Sequence, residues 1–457
     1  MRQRHAERGS AGRHGDVARI VAPLAALATT AILVWPTLTQ SGALAHRDLL
    51  FMSEIPLPRS FWWMGPDLGR RLPGFVPLAL ASQIVDGTVI GRIVLIVTLM
   101  VLALGSARLF RQLLPGRQPA YAASLGAAGV AITVLCLPFT TTRLSTGHLT
   151  TLWAAAVLPF LLSAAISRPE QTGRWTSAAA AGLLGFVAGA YSLVVCLGVA
   201  TRTTWRWAVR GWLTRNAVWI LPGALLQAQG FTSMTDAAAF RPRFGDALQV
   251  IGMVVGRGYW DAGAETVRGH DVGVAAVALG AVGLASIGWR VVAPRARRSF
   301  GFCLIVGYGV PLLSTTPGLS GAVSALQRTA LGAPLREPHR LIGLGLVPLV
   351  VLSALGAVSV GRRLRDVGAA AGPVAVATVG TWLLAVGLPT VHARLEPLAI
   401  PASWTRAAAL VDGAGGTVLT LPWSEYVLLD IDKPRVVYHP LADLFGSEAL
   451  ASSDPQL

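Results

Sequence analysis

Long apolar runs recur along the chain from residue 17 to residue 388, each closed by a short break that carries arginine, proline or glycine. Most of them reach the roughly 20 residues that a helix needs to cross a bilayer. The pattern places membrane spans over 17–38, 88–107, 119–138, 149–166, 217–230, 272–293, 299–316, 339–360 and 370–388. The stretch 176–200 reads either as one helix or as two half-length helices broken around Gly189 and Tyr191. The first run is too long for the apolar region of a signal peptide and lacks a clear A-x-A site, so it reads as a retained span.

Loop charge arbitrates the ambiguous stretch, because short cytoplasmic loops collect arginine and lysine. With the basic N-terminus inside, Arg108, Arg111, Arg117, Arg168 and Arg174 fall inside too. Only a hairpin over 176–200 keeps Arg202, Arg206, Arg210, Arg215, the PRARR run and the GRRLR run on that side. Half-length helices are tolerated where protein or a water-filled cavity satisfies their ends. The expectation is an all-α polytopic protein of the plasma membrane with about 11 membrane helices. Residues 1–16 form a disordered, basic, cytoplasmic N-terminus, and 17–388 form the multi-span domain. External loops then fall at 39–87, 139–148, 231–271 and 317–338, and the tail 389–457 is extracytoplasmic. Within the tail, GGTVLTLPWSEYVLLD and KPRVVYHP have the β-branched and aromatic content of short strands, so a small β-containing unit is expected there.

Composition agrees. Apolar residues make up 53% of the 457 and charged residues only 13%, where a soluble protein carries about 25% charged. A soluble enzyme, a disordered chain and a disulfide scaffold are excluded. The net charge of +16 comes almost wholly from arginine, since Lys433 is the only lysine. These cations are scattered between spans and not gathered into one run or face, so the partner is the lipid bilayer and not nucleic acid. Cys136, Cys196 and Cys303 each sit inside an apolar stretch and read as buried packing residues.

The first external loop holds the richest chemistry. His46, Arg47 and Asp48 follow the first span, then Glu54, Asp67, Arg70 and Arg71, with Phe61, Trp62 and Trp63 between them. Arginines at the mouth of a membrane cavity grip a lipid phosphate bidentately, while a carboxylate takes a proton from an acceptor hydroxyl. The plainer alternative is an interfacial loop with solvated charges and tryptophan anchors. A second group, Arg143 to His148, lies in an external turn permitted by Gly147 and faces the same compartment as Asp48. It holds a donor phosphate or sugar hydroxyl, or is an ordinary polar hairpin. A third group, Arg336, Glu337, His339 and Arg340, opens a span whose start tolerates Pro338. Helix N-termini attract anions, although a charged cap snorkelling to the interface has the same composition. Tyr259 and Trp260, in the loop 231–271, offer rings on which acceptor sugars stack, or belong to a connecting helix.

Four stretches in order, ALAHRDLLF with the later LGRRLPGFVP, then TTRLSTGHLTTLWAAAVLPFLL, APLREPHRLIGL and GGTVLTLPWSEY, resemble the GT-C class of integral-membrane glycosyltransferases. More narrowly, the chain is similar to the actinobacterial arabinofuranosyltransferase-like membrane proteins of cell-wall assembly. The resemblance implies transfer of a sugar from a polyprenyl-phosphate donor to an extracytoplasmic glycan acceptor. It also implies that the acidic residue of the first external loop, here Asp48, acts as general base. Many members carry a second acid directly beside the first, whereas Leu49 and Leu50 follow Asp48 here. Either Glu54 or Asp67 substitutes for it, leaving a divalent cation possible as cofactor, or the chain has no metal site. The resulting picture sets the donor phosphate among Arg70, Arg71, Arg336 and Arg340. It requires 46–71, 143–148 and 336–340 to surround one external cavity.

A non-catalytic protein of the same fold, which binds lipid-linked glycan or scaffolds envelope assembly, fits the missing second acid. A lipid or glycan transporter fits less well. No phosphate-binding G-x-x-x-x-G-K-[ST] loop is present, and no ionisable residue lies deep inside a proposed span apart from Arg92 and Arg290 near span ends.

Overall fold

A computed structural model describes residues 19–55, 74–116, 119–167, 184–200, 204–228, 240–327, 337–363, 370–414, 418–419, 426–431, 433–438 and 449–450. The chain begins with α1 (Arg19–Leu33) and α2 (Trp35–Thr39), separated just before Pro36. A hairpin of β1 (Leu44–His46) and β2 (Leu49–Phe51) follows. Next come α3 (Phe75–Ser82), α4 (Gly87–Leu113), α5 (Ala120–Cys136), α6 (Pro138–Thr146) and α7 (Leu149–Ser167). The middle of the chain forms α8 (Phe186–Val199), α9 (Trp205–Ala228), α10 (Ala247–Gly252), α11 (Asp271–Val291), α12 (Pro294–Thr315) and α13 (Ser320–Gln327). A 3-10 turn, Pro338–Leu341, leads into α14 (Ile342–Arg363), followed by α15 (Ala371–Leu395) and α16 (Ala402–Ala414). The tail ends in β3 (Val418–Leu419), β4 (Tyr426–Asp430), β5 (Pro434–Tyr438) and β6 (Ala449–Leu450).

Among the described residues five helices are long and apolar enough to cross a membrane: α4, α7, α11, α15 and the turn with α14. The pair α5 and α6, bent by 47°, makes a sixth if taken as one broken span, and α1 and α8 are shorter apolar helices. These are the helices of a multi-pass membrane protein. The break expected around Gly189 and Tyr191 is not there: α8 runs unbroken through both, and residues 176–183 of that stretch lie outside the described residues.

Three expectations change. The basic segment Arg206 to Arg215 is helical, forming the first half of α9, because arginine and tryptophan continue a helix that apolar length alone would start later. Residues 389–395 extend α15 and are not the start of the tail. Arg143 does not sit in a loop: it lies on α6, and only Gly147, in the left-handed region at φ 78°, turns the chain. The bend before α6 has a local cause. Leu137 is extended at ψ 144°, the conformation that a following proline imposes, and Pro138 starts the new helix.

Helix α14 is the axis of the bundle. It packs against α4, α5, α7, α11, α12 and α15, and its apolar window is wholly buried. The α11 contact is the tightest: a Cβ on Gly288 would lie 2.0 Å from the Leu352 carbonyl oxygen, and one on Gly356 would lie 1.9 Å from that of Leu284. Small residues let helices approach this closely where no hydrophobic force separates lipid from protein.

The tail closes over one end of this bundle. Strands β4 and β5 pair antiparallel with Tyr426 opposite Tyr438, and β3 pairs parallel with β6. The β5 strand bridges the first hairpin at Arg47 and Val437, and Ala43 bridges Leu398 beyond α15. Ala45, Leu398 and Val437 are buried together at this junction. Three such side chains contribute a few kcal/mol, on the order of 1.5–3 for each larger one, far less than the helical core. Arg92 also anchors the first hairpin, donating from α4 to the carbonyls of Thr37 at 2.6 Å, Gln40 at 3.2 Å and Gly42 at 3.3 Å.

Asp48 is placed by contact with the end of α6. Its N–H donates to the Thr146 carbonyl at 3.1 Å, and a Cβ on Gly147 would lie 1.9 Å from the Leu49 nitrogen. Gly147→Ala therefore meets both a disfavoured φ and a backbone collision, and should cost ~2 kcal/mol or more. The check is the thermal unfolding midpoint in detergent, and an unchanged midpoint would contradict the close approach.

Candidate functional site

The site begins with a charge that has no access to water. Arg143 on α6 is 0% exposed. Its Nη1 donates to Glu337 Oε2 at 3.0 Å and to His148 Nδ1, and its Nη2 donates to His339 Nδ1 at 2.9 Å. The face of Tyr259 covers the guanidinium at 4.7 Å. Glu337, at the start of the 3-10 turn, takes a second cation on its other oxygen, Arg340 Nη2 at 2.5 Å. Two guanidinium groups thus share one carboxylate, and they hold it well below the ordinary range although burial pushes the other way.

Hydrogen bonding assigns the histidine protons. Arginine only donates, so Nδ1 of both His148 and His339 carries a lone pair and the ring hydrogen sits on Nε2. For His339 that N–H points at the carbonyls of Gly256 at 3.1 Å and Arg257 at 3.2 Å. For His148 it points outward, to Asp48 Oδ2 at 2.6 Å. Burial lowers the His148 pKa below its ordinary value and Arg143 lowers it further, against the pull of Glu337 and Asp48, so the ring is neutral at pH 7.

Asp48 occupies the rim. Its side chain is 34% exposed, and it stands at the tip of the β1–β2 hairpin, whose two-residue loop puts Arg47 at φ 52°. Positive φ is what a primed hairpin turn demands. Arg47 donates its N–H to the Val436 carbonyl at 2.7 Å, and its guanidinium pairs with Asp261. The second Asp48 oxygen accepts the hydroxyl hydrogen of Tyr426 from β4. Burial raises the carboxyl, but His148 and the Tyr426 hydroxyl outweigh it, and the group lies below its ordinary pKa.

A second buried cluster holds the loop beneath. Arg257 is 3% exposed, reaches Glu265 Oε2 at 3.0 Å, pairs with Asp271 and donates to the Val267 carbonyl at 2.8 Å. Glu265 Oε1 accepts the N–H groups of Gly258 at 2.6 Å and Tyr259 at 2.9 Å. This fixes Tyr259 against Arg143 and fixes the carbonyls that orient His339. Arg394, from the end of α15, donates to the Gly263 carbonyl at 2.6 Å and to Ser145 Oγ at 3.2 Å.

Of the residues singled out from sequence, Asp48, Arg143, His148, Glu337, His339 and Arg340 come together in this one group. Arg47 flanks it. His46, on β1, has its ring nitrogen Nε2 buried without a partner, and burial with the nearby Arg394, Arg47 and Arg435 lowers its pKa to about 3. Glu54 is exposed beyond β2, outside these contacts. Asp67, Arg70, Arg71 and Arg336 lie outside the described residues. Among the described residues no cluster of His, Cys, Asp and Glu has the spacing to hold a metal ion. Two readings are corrected. His339 is fully buried with both ring nitrogens taken, so it orients Arg143 and does not face a ligand. Tyr259, 1% exposed, covers Arg143 and offers no free ring to a sugar.

Tyr426 was not foreseen. It lies 378 positions from Asp48, and no local spacing relates them; its signals are its place in the strand pattern of the tail and at the end of the GGTVLTLPWSEY stretch. Compared with known proteins, the chain matches no family model and no curated protein.

Removing Glu337 leaves the buried Arg143 and the part-buried Arg340 without their shared anion. Glu337→Gln should cost about 3–5 kcal/mol, the range for breaking a buried pair from one side, read as a drop in the unfolding midpoint. Acid should act in the same direction. His148 and His46 are held below 6.5, so the unfolded chain binds protons that the folded chain refuses, and stability falls as pH drops through 6.5. Glu337 and Asp48, held below 4.5 and 3.8, add further loss at lower pH. Melting between about pH 7.5 and about pH 5.5 should show a falling midpoint, with a smaller fall in His148→Gln; a midpoint that rises on acidification would contradict a neutral, buried His148.

Proposed function

We propose that the protein transfers a sugar, of the arabinofuranosyl type, from a polyprenyl-phosphate donor to an extracytoplasmic cell-envelope glycan, as an integral-membrane enzyme of GT-C type. The observation that carries this reading is the Asp48 carboxylate, ionised and one-third exposed, hydrogen-bonded to His148 at the mouth of the buried Arg143–Glu337–Arg340 group. Charged side chains this deep at the end of a helical bundle are costly and mark function by default. Loop charge supports the orientation: N-terminus cytoplasmic, site and tail on the outer face of the plasma membrane, with about 11 membrane segments in all.

In this mechanism Asp48 accepts the proton of the acceptor hydroxyl. The acceptor oxygen bonds to the anomeric carbon while the bond from that carbon to the phosphate oxygen breaks, and its electron pair leaves with polyprenyl phosphate. Cations near the leaving phosphate carry the largest electrostatic share of such a step. Arg340, 21% exposed, keeps an Nε–H without a protein acceptor among the described residues, which suits it to that task, while the fully buried Arg143 acts through Glu337 and His148. Arg70, Arg71 and Arg336 are the further cations this mechanism assigns to the donor.

One observation favours a second reading. In the described part of the site the cations are matched by carboxylates, Arg143 and Arg340 by Glu337 and Arg47 by Asp261. A non-catalytic protein that binds lipid-linked glycan, or scaffolds envelope assembly, would retain such a group for rigidity alone. Asp48→Asn separates the two. Transfer of labelled sugar from polyprenyl-phosphate arabinofuranose should be abolished in that variant, with membrane insertion and yield as in the wild type. Full activity in Asp48→Asn would overturn the catalytic reading.

A further inference from the structure

A general base works best when its pKa lies near the working pH, yet both oxygens of Asp48 are occupied by donors that stabilise its ionised form and weaken it as a base. His148 is fixed by Arg143 and cannot withdraw without leaving a buried guanidinium short of an acceptor. Tyr426 is different. Among the described residues the two-stranded hairpin that carries it is held on the first loop by one strand bridge, one backbone hydrogen bond and a cluster of three buried side chains, and on Glu396 by Lys433 and Arg435 near its turn. Its hydroxyl is an O–H donor presented to Asp48 Oδ1, in the relation that a sugar hydroxyl would adopt before deprotonation.

We propose that the Tyr426 hydroxyl holds the place of the acceptor hydroxyl, and that the glycan acceptor enters by displacing Tyr426, with the β4–β5 hairpin forming one wall of the acceptor site. This rests on the glycosyl-transfer reading above. Displacement makes chemistry depend on the acceptor. With Tyr426 in place no proton reaches Asp48 from a sugar, and the donor is protected from transfer to water. When the acceptor hydroxyl replaces the phenol, its proton passes to Oδ1 as its oxygen attacks the anomeric carbon, and polyprenyl phosphate leaves with the bonding pair. The aromatic ring of Tyr426, released from Asp48, stays within reach of the sugar that displaced its hydroxyl, because β4 remains paired to β5.

Two measurements test this. In membranes holding the full chain, with polyprenyl-phosphate arabinofuranose as donor and an arabinofuranose oligosaccharide as acceptor, Tyr426→Phe should lower the acceptor KM several-fold and raise kcat/KM. It should also increase the slow release of free sugar to water. A Tyr426→Phe protein with equal or poorer kcat/KM overturns displacement and leaves the transferase reading standing. A wild-type chain that transfers nothing to this acceptor sinks the transferase reading and the displacement with it. The second measurement needs no turnover. Cys136, Cys196 and Cys303 are all buried, so a membrane-impermeant maleimide reports on a thiol placed at the hairpin. Labelling of Tyr426→Cys should be slowed several-fold by the oligosaccharide, which fills the place the tyrosine side chain held, and a rate indifferent to it overturns the proposal even if Tyr426→Phe misfolds.

Discussion

A guanidinium with no exposure to solvent is tolerated inside a helical bundle only if an anion and hydrogen-bond acceptors are built around it. Arg143 meets that condition through Glu337, His148 and His339, which arrive from two different parts of the chain. The remaining geometry is a consequence. Glu337 must stand at the start of α14, the central helix, and His148 must follow the left-handed Gly147 directly. His148, with one nitrogen committed to Arg143, is left with a single N–H, and that N–H fixes Asp48. A buried charge therefore becomes a directed hydrogen bond at the surface, through one neutral ring.

The arrangement also explains why the loop beneath is so heavily charged. Arg257, Glu265 and Asp271 form a second cluster, one guanidinium between two carboxyl groups, whose products are the positions of Tyr259 and of two backbone carbonyls. Each of these meets a ring or a guanidinium of the first cluster. Energy spent burying the second cluster secures the orientation of the first. Neither is good evidence for raw stability, since buried ion pairs rarely exceed hydrophobic packing of the same volume. Both restrict the ways in which four segments can meet, which is what a site needs.

Sequence made the helical frame legible because bilayer length is a one-dimensional constraint. The apolar runs ending at Leu113, Ser167, Val291 and Arg363 are helices close to where length and Pro or Arg breaks put them. The strands of the tail were legible for the same local reason, in their β-branched and aromatic content. The site was half legible. Polar residues clustered at Asp48, Arg143 to His148 and Glu337 to Arg340 stand out against apolar surroundings, and they do converge. Their roles do not follow from composition: His339 and Arg143 differ from exposed loop residues only through burial, which depends on the bend at Pro138. Tyr426 was illegible, because its contact with Asp48 depends on the tail folding back over residues near the start of the chain.

The central claim is that Arg143 and Glu337 are one unit, and a double-mutant cycle measures that directly. Arg143→Met, Glu337→Met and the double variant would be unfolded in the same detergent, with the coupling free energy taken from the four stabilities. Close pairs in one network couple by roughly 0.5–3 kcal/mol, and the upper half of that range is expected here, with the double variant more stable than Glu337→Met alone. Additive losses, with no coupling between the two positions, would contradict the pair as the element on which the site is built.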